Sequence, residues 1–208
     1  MKFLFAAASA AALLAAGSAS AQMAPGQFYG NLAYTQYGAE AQGTGAFAGR
    51  TTELDPGAVT ARVGGRFTPY LGAEAQASFG VRDSEFSNSG TFGGLTATSE
   101  GSVSINNEFG AFGIGFLPIS PSTDLFARVG VGRLSVETEE TVRSGTFTRT
   151  TENESESTFV GFGAGGQYFF DGLNGVRAEY THYELDAEEG EGTEGSIGAF
   201  SIGYVRKF

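Results

Sequence analysis

The strongest constraint on this sequence is an alternation of apolar with small or polar residues that recurs along most of its length. In one segment Val59, Val63 and Phe67 alternate with Arg62 and Arg66. A period of two is typical of β-strands, because successive side chains point to opposite faces of a sheet. Helical periodicity is absent. The sequence therefore predicts an all-β fold.

The alternation returns in eight segments of up to about ten residues, as expected for the strands of a membrane barrel. They lie at 28–35, 59–67, 71–79, 110–116, 125–132, 160–168, 176–181 and 199–208. In the fourth segment the apolar set consists of Phe112, Ile114 and Phe116. We assign the apolar set of every segment to one shared face.

The connections between these segments alternate between short and long. Short turns at 68–70, 117–123 and 170–174 carry Pro, Asp, Gly or Asn, which favour tight turns. The other links, at about 38–56, 81–104, 136–157 and 185–195, are longer and polar. Strict alternation predicts an antiparallel meander with every short turn at one end, as in outer-membrane barrels.

Charged residues fall mid-strand in the less apolar set of each segment. They are Arg62, Arg66, Glu74, Arg128, Arg177 and Glu179. Such groups are costly against lipid but can pair inside a closed barrel, and the glycines beside them leave room for long side chains. The sequence thus predicts an eight-stranded antiparallel up-and-down transmembrane β-barrel, with the apolar set facing lipid and these six residues plugging and rigidifying the lumen.

Aromatic residues concentrate near the predicted strand ends. One group is expected beside the short turns: Phe67, Tyr70, Phe116, Tyr168, Phe170, Tyr204 and Phe208. A second group, Tyr34, Phe79 and Phe200, falls nearer the long links. Two such groups are expected where amphipathic rings meet lipid headgroups.

The N-terminus has the pattern of an export signal. Lys2 precedes an apolar run from Leu4 to Ala16, and small residues lead to Ala21. This pattern predicts a signal peptide at 1–21, cleaved before Gln22, and a barrel domain at 22–208.

On three features the chain resembles the small eight-stranded outer-membrane barrels of Gram-negative bacteria, the OmpA transmembrane-domain and OmpX-like family. They are the signal-peptide pattern, the segment VTARVGGRFTPYLGAEAQASF at 59–79, and the last segment, which ends in Phe208. The resemblance implies location in the outer membrane, contact with its lipid and lipopolysaccharide, and recognition of the last strand, through Tyr204 and Phe208, by the barrel-assembly machinery. Arg206 interrupts the apolar alternation and is expected to snorkel to the interface.

Motifs for catalysis or cofactor binding are sparse. The sequence has no Cys and a net charge of -11, which argues against thiolate chemistry and nucleic-acid partners. Gly161 to Gly166 fits G-x-G-x-x-G, but it lies within a predicted strand and opens no helix. His182 is the only histidine, and no serine follows two residues later as in lipid A deacylases. We therefore predict no enzyme activity, no cofactor and no dedicated metal site.

The third and fourth long links are acidic. They contain Glu137, Glu139, Glu140, Glu152, Glu154 and Glu156 in one, and Glu184, Asp186, Glu188, Glu189, Glu191 and Glu194 in the other. These carboxylates either solvate exposed chain or bind divalent cations weakly and bridge to lipopolysaccharide. Threonine-rich alternation around Arg143 to Gly145 predicts a protruding hairpin, whose free edge could add a strand to an extracellular partner.

Together these features predict an outer-membrane barrel with a structural or adhesion-like, surface-interaction role. Two alternatives remain open. A small porin-like channel would need an open lumen, whereas an eight-stranded barrel is just wide enough to be filled by side chains. A lipid-modifying barrel enzyme would need His182.

Overall fold

The computed structural model describes residues 28–42, 51–92, 95–187 and 195–208, so the predicted signal peptide lies outside the described residues. The strands are β1 Phe28–Gln42, β2 Thr51–Leu54, β3 Gly57–Arg66, β4 Leu71–Arg82, β5 Ser84–Phe92, β6 Leu95–Ser120, β7 Thr123–Ser144, β8 Phe147–Phe169, β9 Asn174–Ala187 and β10 Gly195–Lys207. Within these ranges no helix has the length and apolar character needed to cross a membrane.

Eight strands form one closed antiparallel ring, in the order β1, β3, β4, β6, β7, β8, β9 and β10. The first and last strands close it, with a register from Tyr29 opposite Lys207 to Gly38 opposite Gly198. Closure gives each of these eight strands, which we call the staves of the barrel, a neighbour on both sides. The backbone N–H and C=O groups are then paired, as the hydrocarbon of a bilayer requires. The predicted eight-stranded antiparallel barrel is confirmed.

The short connections β3–β4, β6–β7 and β8–β9 all lie at one end of the barrel, which we term the turn end. In the β8–β9 turn, Gly172 has a φ of 82°. Asp171 accepts hydrogen bonds there from the backbone N–H groups of Asn174 and Leu173, at 2.5 and 2.9 Å. These bonds favour the carboxylate, so the pKa of Asp171 lies below its ordinary value.

The opposite end, the loop end, carries two strands that the alternation did not predict. β2 pairs with the end of β1, and β5 pairs with β6 from Leu95 to Val103. Both lie inside links predicted as loops. The residues of β5 are mostly Ser, Asn, Thr and Gly. Because most of its residues are polar or small, this strand carries no apolar alternation to predict it.

A four-stranded sheet of β5, β6, β7 and β8 rises from the loop end; we call it the protruding sheet. Strands β7 and β8 contain 22 and 23 residues, whereas a membrane crossing takes about 9–11. They pair as far as Ser144 opposite Phe147, and Gly145 in the turn has a φ of 58°. The predicted hairpin with its turn near Gly145 is confirmed.

Side chains on the staves alternate between an apolar outer surface and a polar lumen. The outer surface includes Leu32, Val63, Leu71, Val129, Phe162, Val176 and Ile202, each 46–66% exposed. The predicted interface aromatics are also exposed, with one exception.

The exception is β6, where the predicted facing is wrong. Phe112, Ile114 and Phe116 lie in the lumen, at 2–4% exposure, and Phe116 is therefore not an interface aromatic. Their small neighbours Ala111 and Gly113 lie on the outer side. Neither set of β6 carries a charge between 109 and 117, so polarity did not distinguish its two faces.

The described residues form two apolar clusters in the lumen. The turn-end cluster comprises Tyr29, Ile114, Phe116, Phe126, Phe169 and Val205. The loop-end cluster comprises Tyr37, Ala58, Ile105, Phe112, Leu134, Phe159, Tyr183 and Ala199. On β1 the buried polar residues Asn31 and Thr35 lie between Tyr29 and Tyr37. The polar part of the lumen is thus enclosed at both ends.

The seam between β1 and β10 gives a test of closure. A Cβ at Gly203 would overlap the carbonyl oxygen of Leu32 and atoms of Ala33, whereas a Cβ at Gly38 would lie 3.9 Å from the nearest atom. We expect Gly203→Ala to lower the free energy of unfolding by about 1–3 kcal/mol, as overpacking does, and Gly38→Ala to change it little. Urea midpoints of the two variants in lipid vesicles, scored as folded fraction on unheated gels, would be equal if the seam did not need this glycine.

Candidate functional site

Three buried arginines and two buried glutamates form one network across the middle of the lumen. Glu74 on β4 accepts from Arg177 Nη1 on β9 at 2.6 Å and from Arg128 Nη1 on β7 at 2.9 Å. In the ring of eight, β4 and β9 are diametrically opposite. The Glu74–Arg177 pair therefore ties one wall of the barrel to the other.

Glu179 is the second centre of this network. It pairs with all three arginines, at 2.9 Å to Arg62 Nη2 and 2.6 Å to both Arg128 Nη2 and Arg177 Nη2. Each of these side chains is at most 1% exposed. The structure thus brings five of the six predicted lumen residues into one cluster.

Neutral side chains supply further hydrogen bonds to these charges. Arg62 donates to Gln76 Oε1 at 2.7 Å and to Asn31 Oδ1 at 2.8 Å. Tyr29 donates its hydroxyl to Glu74 at 2.8 Å. Buried charges need such additional partners, because ion pairing alone does not offset their desolvation.

Arg66, the sixth predicted residue, lies apart from this cluster. It pairs with Asp124 at 2.5 Å near the turn end, and its side chain is 18% exposed. Gln167 donates to the same carboxylate at 2.9 Å. The structure therefore assigns Arg66 to a separate pair.

Two acidic lumen residues, Glu108 and Asp124, were missed by the sequence analysis. Glu108 is 1% exposed and accepts from Tyr37, Gln76 and Ser78 at 2.5–2.8 Å. With Glu74 and Glu179 it gives three carboxylates against three guanidinium groups, and Asp124 balances Arg66. The sequence of β6 contained a signal for Glu108. It is separated from Phe112, Ile114 and Phe116 by even numbers of residues, so a buried charge there would have indicated that this face of β6 points into the lumen.

Three arginines also stack on the aromatic rings that face the lumen. The guanidinium carbon lies 3.7 Å from the ring centre for Arg66 over Phe116 and 4.1 Å for Arg128 over Phe112. Arg177 lies 4.2 Å from the centre of Phe126. Such cation–π contacts are attractive and strengthen when desolvated. They account for aromatic rings next to charges inside the lumen.

The two C-terminal residues predicted to signal assembly lie on the outer surface at the turn end. Tyr204 is 46% exposed and Phe208 is 63% exposed. Tyr204 donates its hydroxyl to the side-chain oxygen of Asn174, and the Phe208 N–H donates to the carbonyl of Phe28 at 2.9 Å. Arg206 also faces outward there.

His182 lies on the outer surface near the loop end. Its ring centre is 5.0 Å from that of Phe162. It lines an open groove with Tyr180, Ser196, Gly198 and Phe200. None of the described hydroxyl groups is hydrogen-bonded to His182. In the described ranges no three His, Cys, Asp or Glu side chains are grouped to hold a metal ion.

The acidic residues of the third long link lie on the protruding sheet. Glu137, Glu139, Glu152, Glu154 and Glu156 share its outer face, whereas Glu140 lies on the other face and accepts from Ser99 at 2.6 Å. Glu188, Glu189, Glu191 and Glu194 of the fourth link lie outside the described residues.

Comparisons with known proteins agree with this architecture. The family model for the outer membrane protein beta-barrel domain matches residues 6–208. No curated protein matches the sequence. The structure is similar to that of Ail, the attachment invasion locus protein of Yersinia pestis, with 14% identity, a TM-score of 0.51 and coverage of 89% of this chain and 100% of that chain. For Neisserial surface protein A, NspA, the values are 13%, 0.53, 88% and 97%.

Ail is also known in complex with the heparin analogue sucrose octasulfate, and that structure covers 88% of this chain and 99% of its own, with 14% identity and a TM-score of 0.50. At these identities the likeness shows the fold alone.

The lumen network gives a stability prediction. Glu74→Ala leaves the three buried guanidinium groups of the network with one carboxylate, Glu179, as their ion-pair partner. We expect this excess of buried positive charge to cost about 3 kcal/mol or more. The control is Glu100→Ala, which removes an ion pair to Arg143 whose side chains are 53% and 57% exposed, and it should cost under about 1 kcal/mol. The measurement is the folded fraction on unheated gels across a urea series. Unchanged heat-modifiability of Glu74→Ala would contradict this.

Proposed function

Because the chain belongs to the outer membrane protein beta-barrel domain family, we propose that it is a sealed outer-membrane anchor whose working part is the protruding sheet. Its role is then structural and interactive, resembling that of an adhesin. The observation that carries this proposal is the length of β6, β7 and β8, which continue as largely polar, paired strands well beyond one membrane crossing. A polar sheet of this length is unfavourable in hydrocarbon, so it is expected to lie outside the bilayer.

The negative charge of the protruding sheet limits the kind of partner that can bind it. The heparin analogue bound by Ail is a polyanion. The protruding sheet of this chain presents five glutamates on one face. Like charges repel, so a polyanionic ligand does not suit this face. We therefore propose an extracellular partner bound through the sheet, but not a heparin-like one.

The lumen supports anchoring rather than transport. We propose that Arg62, Arg66, Glu74, Arg128, Arg177 and Glu179 plug and rigidify the barrel, together with the two apolar clusters. This filled interior does not favour the porin-like alternative. Opening a continuous aqueous path would require buried ion pairs to break and packed rings to separate.

The lipid-modifying enzyme is the weaker alternative as well. Such an enzyme would use His182 as a base for a hydroxyl nucleophile. The imidazole instead packs near Phe162, without a hydrogen bond to any described hydroxyl. We propose that His182 is an interfacial residue, and that the protein has no catalytic role.

We also propose two contacts for the turn end and the outer surface. Tyr204 and Phe208, which face outward on the closing strand, suit recognition by the barrel-assembly machinery. The apolar staves suit contact with outer-membrane lipid and lipopolysaccharide, with the export signal at 1–21 providing the route.

The orientation and role of the protruding sheet can be tested on cells. We expect an epitope inserted after Gly145 to be labelled on intact cells, and the same epitope after Gly172, at the turn end, only after permeabilisation. Replacing 137–154 by Asn-Gly joins Val136 to Ser155, which already pair, through a turn that suits hairpins. This variant should remain heat-modifiable but lose attachment to protein-coated surfaces. Undiminished attachment would refute the surface-interaction role.

The closed lumen gives a separate expectation for ion conductance. Purified protein in planar bilayers should produce flat current traces, because the network and both clusters obstruct the lumen. As a control, Phe112→Ala with Phe159→Ala removes two rings of the loop-end cluster while leaving the ion pairs. Regular unitary steps from the unsubstituted protein would favour the porin-like alternative.

A further inference from the structure

The β8 edge of the protruding sheet has no partner among the described strands over part of its length. Strand β8 pairs with β7 along its whole length, but its pairing with β9 begins only at Ser157, opposite Ala187. From Phe147 to Glu156, no described strand lies against the second edge of β8. Ten consecutive residues therefore present every second N–H and C=O outward, and such an edge is a template for an added strand.

Acidic residues are placed at regular intervals along this edge. Glu152, Glu154 and Glu156 alternate on the outer face of β8, about 6.7 Å apart at the usual rise of a strand. Behind them on β7, Glu139 lies opposite Glu152 and Glu137 opposite Glu154. Like charges directly opposite one another destabilise a sheet.

These five carboxylates have no cationic partner among the described residues. Glu154 accepts hydrogen bonds only from neutral groups, Asn106 Nδ2 and Ser135 Oγ, each at 2.9 Å. The nearest ion pair on the sheet, Arg143 with Glu100, lies towards its tip. The face therefore has unneutralised negative charge immediately beside the open backbone edge.

The charge decides which occupant suits the edge. A second copy of this chain would bring its own Glu152, Glu154 and Glu156 to the same seam, so self-pairing through β8 is disfavoured. A neutral strand could bond to the backbone but would leave the carboxylates as they are. A strand with basic residues on one face would satisfy both the backbone edge and the charges.

We propose that the edge of β8 from Phe147 to Glu156 binds an extended, basic polypeptide segment with Lys or Arg at alternate positions, added as a further strand of the protruding sheet. The inference rests on the proposed surface-interaction function and names the chemistry of its partner. On the outer face of the sheet, the alternate basic residues of the added strand lie beside Glu152, Glu154 and Glu156. On the opposite face, its intervening side chains lie beside the polar residues Thr151, Asn153 and Ser155.

The test uses the full barrel in nanodiscs of zwitterionic lipid and fluorescein-labelled heptapeptides, read by anisotropy. In one peptide three lysines alternate with four threonines, and in its isomer the three lysines are consecutive. Both carry the same charge, but only the first places all its lysines on one face of a strand. We expect it to bind about tenfold more tightly. Equal binding of the isomers, or no binding of either, would overturn the proposal.

Two variants with the same charge change locate the site. The triple variant E152Q/E154Q/E156Q should weaken binding of the alternating peptide about tenfold. The control E53Q/D83N/E85Q removes three charges from the β2 and β5 side of the protrusion and should not weaken it. Equal loss in both would mean general attraction to an acidic protein, which contradicts a site on β8.

N-methylation of the peptide tests whether it adds as a strand. One peptide is methylated on the backbone nitrogens of its lysines and another on the backbone nitrogens of its threonines. Backbone N–H groups of alternate residues point to opposite edges of a strand, so only one of the two peptides blocks the N–H groups that face β8. We expect one to lose binding and the other to keep it, and equal behaviour would exclude strand addition. If peptides fail while replacement of 137–154 still abolishes attachment, the partner chemistry is wrong and the surface-interaction function stands.

Discussion

The pairing of every backbone group across a closed ring is the constraint on which the rest of this structure depends. In hydrocarbon an unpaired N–H or C=O has no water to bond, so β1 must meet β10. Closing only eight strands sets a narrow interior. Interior side chains must then fill that space without leaving unpaired charge. The glycines and the ion pairs of the lumen follow from this closure. The glycines leave room for long side chains, and the ion pairs satisfy the charges that those side chains carry.

The lumen solves this packing problem by using each charged side chain in several contacts. Arg128 contacts Glu74 and Glu179 and stacks on Phe112. Gln76 links Arg62 to Glu108, since it accepts from one and donates to the other. A network in which each member has several partners ties distant staves together, and it resists opening more than separate pairs would. Such connectivity is consistent with a plug that is part of the wall rather than a movable gate.

The period of two, the alternation of short and long links, and the mid-strand charges were enough to predict the ring, its strand number and the inward position of most of its charged lumen residues. The facing of β6 was not predictable from polarity, since Phe112 and Ala111 are both uncharged. Their positions are decided by tertiary packing: Phe112 lies over Gly130 of β7, where a Cβ would overlap the ring. Glu108 and Asp124 were missed because they lie outside the segments in which alternation was counted. β5 was missed because a strand made mostly of Ser, Asn, Thr and Gly has no periodic apolar signal.

Beyond the membrane the same backbone rule applies with the opposite consequence. Water satisfies an open edge, so β8 can extend past Ala187 of β9 with no other described strand on that edge, which no strand of the ring could do in lipid. An open edge in water still risks pairing with any exposed strand, and charged side chains along it are a common protection. The glutamates of β8 therefore disfavour pairing with copies of the same chain, while leaving the edge open to a strand of opposite charge. Protection against aggregation and selectivity for a basic partner thus follow from one set of residues.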